Sequence, residues 1–417
     1  MRAAVHQLSR CRICSGQRLQ CFLRFPQMPL TEDFIPPARL GAEFRHDLEV
    51  TICQDCLTAQ TQLDVDTRGY YADYQYSVGG SPFAGHFMRL LARNLLARYF
   101  AGQKGSRVLE IGSGDGEQLV AFRELGCEVL GYEPSLALRR VAAEKGIRCI
   151  AGLFGADSLN RLPEPFKQAD VIVLSYTFDH LPRPRELLAA ARSILNPERG
   201  LLVVEVHDLQ RILERGEYCL FEHEHTIYLT AATAAALAAR EGMTIIDFEL
   251  VPEADRRANS LLFVATPNGS RFAQEHPAAA VAVPAEYGDL AFYSRQAEGI
   301  HRAIASLDAF VERVSAAGKS LAGYGAGGRG VMTLAAMQGA RALRYLADKK
   351  PKGVGLVAPK SGVPVVGLSA LSESPVDEIL VFSFGYLKEI QSELAAFGYQ
   401  PRQFHSLLDV LAGKASL

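Results

Sequence analysis

The chain has 417 residues, too many for one ordinary core, so two or three domains are expected. A hydrophobic content of 48% and a charged content of 22% are those of a globular protein, and a net charge of −2 excludes a nucleic-acid footprint. No apolar run approaches the ~20 residues that span a bilayer, and the N-terminus lacks the apolar core of a signal peptide, so the expectation is a cytoplasmic protein whose eight cysteines stay reduced.

The first feature is a pair of knuckles, Cys11-Arg12-Ile13-Cys14 and Cys53-Gln54-Asp55-Cys56. Two thiolates at C-x2-C spacing clasp one Zn²⁺ from a tight turn, and two such turns complete a closed shell. Zinc held by Cys11, Cys14, Cys53 and Cys56 would therefore be structural; two unrelated pairs of reduced thiols are the alternative. Cys21, Cys127, Cys149 and Cys219 are scattered and read as packing residues. Pro26, Pro29, Pro36 and Pro37 argue against long regular elements between the knuckles, and Phe44 to Ile52 reads as a strand. Next comes a tyrosine run that ends at Tyr76, followed by Gly79-Gly80. It is either an aromatic packing segment or a lid that sets a phenol over a polar ligand. A helix from about His86 to Phe100 follows.

The stretch Arg107–Leu119, RVLEIGSGDGEQL, organises the middle of the chain. It reads as a buried strand, a glycine turn and a helix start, and its free N–H groups would face a ligand at the carboxyl end of a parallel strand. A second strand ends in Glu133, an acid that can accept both ribose hydroxyls of a nucleoside. The turn is G-x-G-x-G with Asp115 inside it, not the dinucleotide G-x-G-x-x-G. An acid repels a pyrophosphate but welcomes the sulfonium and amino group of S-adenosylmethionine, so that cofactor is expected at Glu110, Gly112, Ser113, Gly114, Asp115, Gly116, Glu133 and Pro134. Further strands are expected at Arg148–Gly152, Ala169–Ser175, Leu201–Val206, Thr244–Val251 and Ser260–Thr266, with Ala-rich helices between them. That alternation predicts a parallel sheet covered on both faces, its last pair hairpin-like: the class I methyltransferase arrangement.

Acceptor chemistry is expected at the carboxyl ends of the fourth and fifth strands. Two polar clusters lie there, Tyr176–His180 and Phe221-Glu222-His223-Glu224-His225. Methyl transfer asks the protein to position the acceptor and remove its proton, and His225 oriented by Glu224 would suit that task. A metal site or a solvated loop are the alternatives for the Glu/His run, and a loop-capping role is the alternative for His180.

Asn268–Ala285 reads as a linker and about Glu286–Ala317 as a long helix. Ser320–Gly330, SLAGYGAGGRG, repeats the strand–turn–helix pattern with a cation, Arg329, in place of the acid. Such a turn suits a phosphate or pyrophosphate; a mere tight connection is the alternative.

Taken together these residues resemble the three-domain, zinc-containing C-methyltransferases that act on nucleotide-linked keto-deoxysugars. The resemblance covers nearly the whole chain: both knuckles, Pro26–Phe34, the tyrosine run, LEIGSGDG, His180, the HEH of His223–His225, GYGAGGRG, and Asp348–Gly353 with Pro359 and Val363-Pro364. It implies a class I methyltransferase (Rossmann-like, seven-stranded) domain over 76–268, an N-terminal zinc-binding domain over 1–75 and a C-terminal Rossmann-like α/β domain over 269–417 that binds the sugar nucleotide. It implies His225 as the base that makes an enolate, with Tyr76, His180, Glu222, His223 and Glu224 around it. Tyr324, Gly325, Gly327, Gly328, Arg329, Asp348 and Lys352 would hold the acceptor. A monomer that meets a small molecule, and neither membrane nor nucleic acid, completes that expectation. The chain departs from the family at Glu222, where tyrosine is usual, at Arg257–Ser260 in place of an HGGS-like stretch, and at GGRG in place of PAKG. An O- or N-methyltransferase on the same scaffold and a non-catalytic sugar-nucleotide binder are the other readings.

Overall fold

A computed structural model describes residues 4–72, 81–257, 259–349 and 353–415. The central sheet has seven strands in the order Met243–Asp247, Leu261–Pro267, Leu201–Val206, Val171–Ser175, Arg107–Ile111, Glu128–Glu133, Cys149–Ala151. Leu261–Pro267 runs antiparallel to both of its neighbours, and the remaining pairings are parallel. This is the class I methyltransferase topology expected from the strand–helix alternation. The strand order reverses beside Arg107–Ile111, which opens a crevice at the carboxyl end of that strand. The helix before it, Pro82–Phe100, starts where Ser81 accepts from the Ala84 N–H and Pro82 fills the first turn.

The C-terminal sheet is wholly parallel, in the order Val365–Gly367, Leu343–Asp348, Leu321–Tyr324, Glu378–Val381, Phe404–Ser406. The long helix Leu290–Ala316 buries Leu307, Phe310 and Val314 in a core shared with Leu23, Phe25 and Val50 of the N-terminal sheet.

Two features depart from the expected N-terminal layout. Leu19–Met28 is a ten-residue strand despite Pro26. The register with His46–Cys53 shifts between Phe25 and Met28, and Gln27 takes φ +51°, so the proline sits in an irregularity where no ladder N–H is needed. The second feature is that this sheet recruits Ile227–Tyr228, directly after the HEH run, as its edge beside Ala59–Thr61. The loop of candidate bases is thereby stitched to the knuckle-bearing sheet. Cys11, Ile13 and Cys53 in turn pack into the core of the central sheet. Among the described residues no helix is long and apolar enough to cross a membrane. Cys127 and Cys219 are buried as expected, but Cys21 is exposed and is no packing residue.

Candidate active site

The four knuckle thiols converge. Cys11 and Cys56 Sγ stand 3.6 Å apart, Cys14 and Cys53 Sγ 3.5 Å apart, and all four lie within 4.8 Å of one another. A zinc ion with bonds of ~2.3 Å spaces its sulfurs about 3.8 Å apart at tetrahedral geometry, so the cluster fits it. The N–H groups of Ile13 and Gly16 point at Cys11 and Cys14 Sγ, as thiolate acceptors require.

At the organising turn, Gly112, Gly114 and Gly116 all take left-handed φ, at +73°, +52° and +77°. A Cβ on Gly112 would meet Thr177 Oγ1 at 2.4 Å, so glycine is required there on two counts. Glu133 is buried and accepts the Gly114 N–H at 2.8 Å and the Ser135 N–H at 2.7 Å, which locks turn to strand. Glu110 is buried with Oε2 unpartnered. Burial first, then Asp115, pushes its pKa well up. Asp115 is 3.2 Å from Lys145 Nζ, so its charge is shared with that cation rather than reserved for a ligand. An unpartnered buried carboxyl, N–H groups held open by left-handed glycines and an acid at the end of the next strand together fit a nucleoside that carries a cation.

From this turn a single cavity of about 1690 Å³ runs past His180, His207 and His225 to Gly327, Gly328 and Arg329 of the C-terminal domain. Its middle is an imidazole cluster. His225 is buried, and its Nδ1 donates to the Leu220 carbonyl at 2.8 Å, which leaves the Nε2 lone pair for the cavity. Burial, then His180 and His207, lowers its pKa well below the usual range, so it stays a neutral base. The His225 ring lies 4.5 Å from that of His180 and 4.8 Å from that of His207. His180 Nδ1 is 2.8 Å from the Tyr71 hydroxyl. His207 Nδ1 donates to Asp179 Oδ2 at 2.7 Å.

Glu224 does not orient His225. Its Oε1 accepts from the Thr31 N–H at 2.7 Å and from the Thr31 hydroxyl at 2.9 Å, and the orienting group is the Leu220 carbonyl. His223 turns the other way: its Nε2 reaches the Met28 and His46 carbonyls, its ring meets Phe44 edge-on, and it does not line the cavity. The run is a turn, with the His225 N–H donating to the Glu222 carbonyl at 3.3 Å, so Glu222, Glu224 and His225 line the cavity while His223 faces the N-terminal sheet. Glu222 faces inward, with Oε2 3.6 Å from His225 Nε2. Burial, then Glu224, pushes its pKa well up, which favours its neutral form and lessens its opposition to a developing negative charge. A Cβ on Gly328 would meet Glu222 Oε1 at 2.6 Å; the glycine gives this carboxyl its room. Tyr76 and Lys352 lie outside the described residues.

In the second turn, Gly325 takes φ +108°, and a Cβ on Gly330 would meet the Gly325 carbonyl at 2.1 Å. These two build the turn; Gly327, Gly328 and Arg329 line the cavity. Asp348 accepts the Ala326 N–H at 2.7 Å, and Tyr324 is tied to Glu393. Arg329 is half-buried over Phe384, and its Nε has no hydrogen-bond partner. Nearby, Arg257 pairs with Glu205 and lies over the Tyr176 ring at 4.7 Å.

Sequence reasoning missed Thr31 and His207, and within the tyrosine run it singled out Tyr76, where the structure brings Tyr71 to His180. His207 sits one residue past the fifth strand, where the carboxyl-end rule already pointed; the others meet the site across more than a hundred positions and leave no local signal.

Comparison with known proteins matches three successive segments of the chain. Residues 11–71 fit the model described as “Putative zinc binding domain”, residues 84–248 that of “Methyltransferase domain” and residues 268–406 that of “C-methyltransferase C-terminal domain”. The C-methyltransferase NovU of Streptomyces niveus is 26% identical over 396 residues, 94% of this chain and 93% of its own. In succession these models are a zinc-binding, a methyltransferase and a C-methyltransferase C-terminal domain, and over nearly its whole length the chain is similar to a C-methyltransferase. Its cofactors are S-adenosylmethionine and zinc. Among solved structures, the PH0226 protein of Pyrococcus horikoshii is 20% identical, covering 48% of this chain and 99% of its own, at TM-score 0.38. The 1,6-didemethyltoxoflavin-N1-methyltransferase of Burkholderia thailandensis, bound to S-adenosylhomocysteine, is 19% identical, covering 44% and 78%, at TM-score 0.33.

Proposed function

We propose that this C-methyltransferase acts on a keto-deoxysugar linked to a nucleoside diphosphate. The observation that carries the reading is the cavity with two unlike ends. One end is the carboxyl-bearing turn of Gly112–Gly116; the other is Arg329, a half-buried cation at the start of the helix Gly328–Ala336. A helix start plus a guanidinium that lines the cavity is a site for phosphate oxygens. A volume of about 1690 Å³ exceeds the ~300–1,000 Å³ of a pocket for one small ligand, which leaves room for donor and acceptor together.

S-adenosylmethionine supplies an electrophilic methyl group when bound, so the chain's own task is to make carbon nucleophilic. A C–H bond beside a ketone suits removal by a neutral imidazole, because the electrons left behind spread onto oxygen. His225 Nε2 is that base, set by the Leu220 carbonyl. Glu222, neutral beside it, is available as a hydrogen-bond donor where the family carries a phenol. His180 and Tyr71 border the same space. Unbridged cysteines fit a reducing compartment such as the cytoplasm.

Incubation in D₂O with a panel of nucleoside-diphosphate-linked keto-deoxyhexoses, without S-adenosylmethionine, tests the reading. The expected result is deuterium at the carbon next to the ketone. Addition of [¹³C-methyl]-S-adenosylmethionine should then place the label on that carbon. A label found on oxygen or nitrogen, with no prior exchange, would refute carbon as the site.

A further inference from the structure

Asp179 and His207 lie 28 positions apart in sequence and form a pair that the reading above leaves unused. His207 follows the strand Leu201–Val206 at the carboxyl edge of the sheet and lines the cavity. Its ring stands between Tyr176, 4.7 Å away, and His225, 4.8 Å away. Asp179 is 2% exposed; its Oδ2 takes the Nδ1 proton of His207, and its Oδ1 has no hydrogen-bond partner. Burial opposes the Asp179 charge, but the His207 bond and the imidazoles of His180, His207 and His225 outweigh it and lower its pKa. The carboxylate fixes the His207 tautomer, points Nε2 away from itself and stabilises the imidazolium.

We propose that His207, held by Asp179, is a second proton-transfer residue of the acceptor pocket, donating to the ketone oxygen while His225 takes the proton from the adjacent carbon. The proposal rests on the keto-acceptor reading. The two rings differ in what backs them: a carboxylate behind His207, a neutral carbonyl behind His225. Environments that separate two neighbouring titratable groups in this way assign an acid and a base. A carbonyl oxygen and the C–H bond beside it sit on adjacent atoms, and the adjacent rings can serve both. Tyr176 is held for this by a left-handed backbone, φ +47°, by its N–H to the Glu205 carbonyl at 2.7 Å and by its hydroxyl to the Asn259 carbonyl at 3.1 Å. A non-glycine residue in that region costs about 1 kcal/mol or more and persists where its surroundings over-determine it.

In the step, the C–H bond breaks and its proton goes to His225 Nε2. The electron pair forms the carbon–carbon double bond, and the carbonyl oxygen takes the proton of His207 Nε2 to give an enol. When the new carbon–methyl bond forms and the methyl–sulfur bond breaks, the ketone re-forms and the oxygen returns its proton to His207. One proton, on His225, is left to leave with product. The titratable groups facing His207 are Asp179, Tyr176 and His225, with His180 and Glu222 beyond His225 and the Arg257–Glu205 pair beyond Tyr176.

The test is the same deuterium uptake, followed against pH in wild type, His207→Gln and Asp179→Asn, with calorimetric S-adenosylmethionine binding as the check on folding. Wild type should show a bell-shaped profile. His207→Gln should exchange ~10²-fold more slowly and lose the alkaline limb. Asp179→Asn should keep that limb but move it to lower pH, which a merely structural role would not do. Exchange in both variants within two-fold of wild type, with the same profile, overturns the proposal and leaves the keto-acceptor reading intact. No exchange by wild type on any acceptor overturns the reading itself. Metal analysis closes the remaining route: one zinc per chain is expected in wild type and His207→Gln alike, whereas a second metal lost in His207→Gln would make the pair ligands rather than an acid.

Discussion

The two glycine turns are the same backbone device, with carboxyl groups around one and a guanidinium on the other. Each ends a parallel strand, opens a helix and needs glycine for concrete reasons: Gly112 against Thr177, Gly330 against the Gly325 carbonyl. The first is surrounded by buried Glu110, Asp115 and Glu133; the second carries half-buried Arg329. Backbone geometry makes a place for a ligand, and charge selects which one. They also differ in self-sufficiency. The donor turn is completed by its own and the next strand, with Glu133 reaching Gly114. The acceptor end is assembled from three parts of the chain, with Glu222 against Gly328 and Thr31 on Glu224.

That contrast can be broken most severely at the zinc. Cys53→Ser should lose the metal and, with it, the sheet that anchors Ile227–Tyr228 behind His225. Structural zinc is worth ~10–16 kcal/mol in small zinc domains, so metal content near zero and a melting temperature lower by more than ~10 °C are expected. Methylation should fall below detection. His225→Asn should be silent structurally and cost ~10³-fold in turnover, with S-adenosylmethionine affinity unchanged by calorimetry. A crossed pair then sharpens the comparison. Gly112→Ala should weaken S-adenosylmethionine binding ~10-fold or more through strain and the Thr177 contact, and leave the acceptor's Kd alone. Arg329→Gln should do the reverse, raising the KM of a nucleoside-diphosphate sugar ~10- to 100-fold, the worth of a charge-assisted bond. Equal effects of either change on both ligands would dissolve the division between the turns.

The contrast also explains what could be read in advance. Strand, turn, helix and the acid at Glu133 lie within 27 consecutive residues, so periodicity and glycine spacing reveal the donor site. The knuckles were legible for the same reason. The acceptor site is a set of distant meetings: Thr31 with Glu224, Tyr71 with His180, Asp179 with His207. No local pattern marks them, and proximity in sequence misled at Glu224, whose nearness to His225 suggested a pair although its carboxyl is taken by Thr31. Pro26 misled in the other direction, because a bulge absorbs it within a long strand.

The smallest effect tests the bond that ties the two halves of the acceptor end, Glu224 to Thr31. Burial pushes Glu224 up to about 7 from an ordinary 4.5. Between those values the folded state holds a proton that the unfolded chain has lost, so this carboxyl's contribution is complete below pH 4.5 and is lost as pH rises to 7. His223, one position earlier, is lowered by burial to about 4 from 6.5, and its contribution runs the opposite way: complete above 6.5, lost as pH falls to 4. Each spans 2.5 units, roughly 3 kcal/mol at 1.36 kcal/mol per unit, and from pH 4.5 to 6.5 they oppose each other. Glu224→Gln keeps an oxygen for Thr31 and cannot titrate. Its stability relative to wild type, from urea unfolding, should therefore rise by roughly 3 kcal/mol between pH 4.5 and 7, leaving the His223 slope bare so that the variant is the more acid-sensitive protein. A difference constant with pH would mean that Glu224 is charged throughout, and that the Thr31 bond holds an ion rather than an acid.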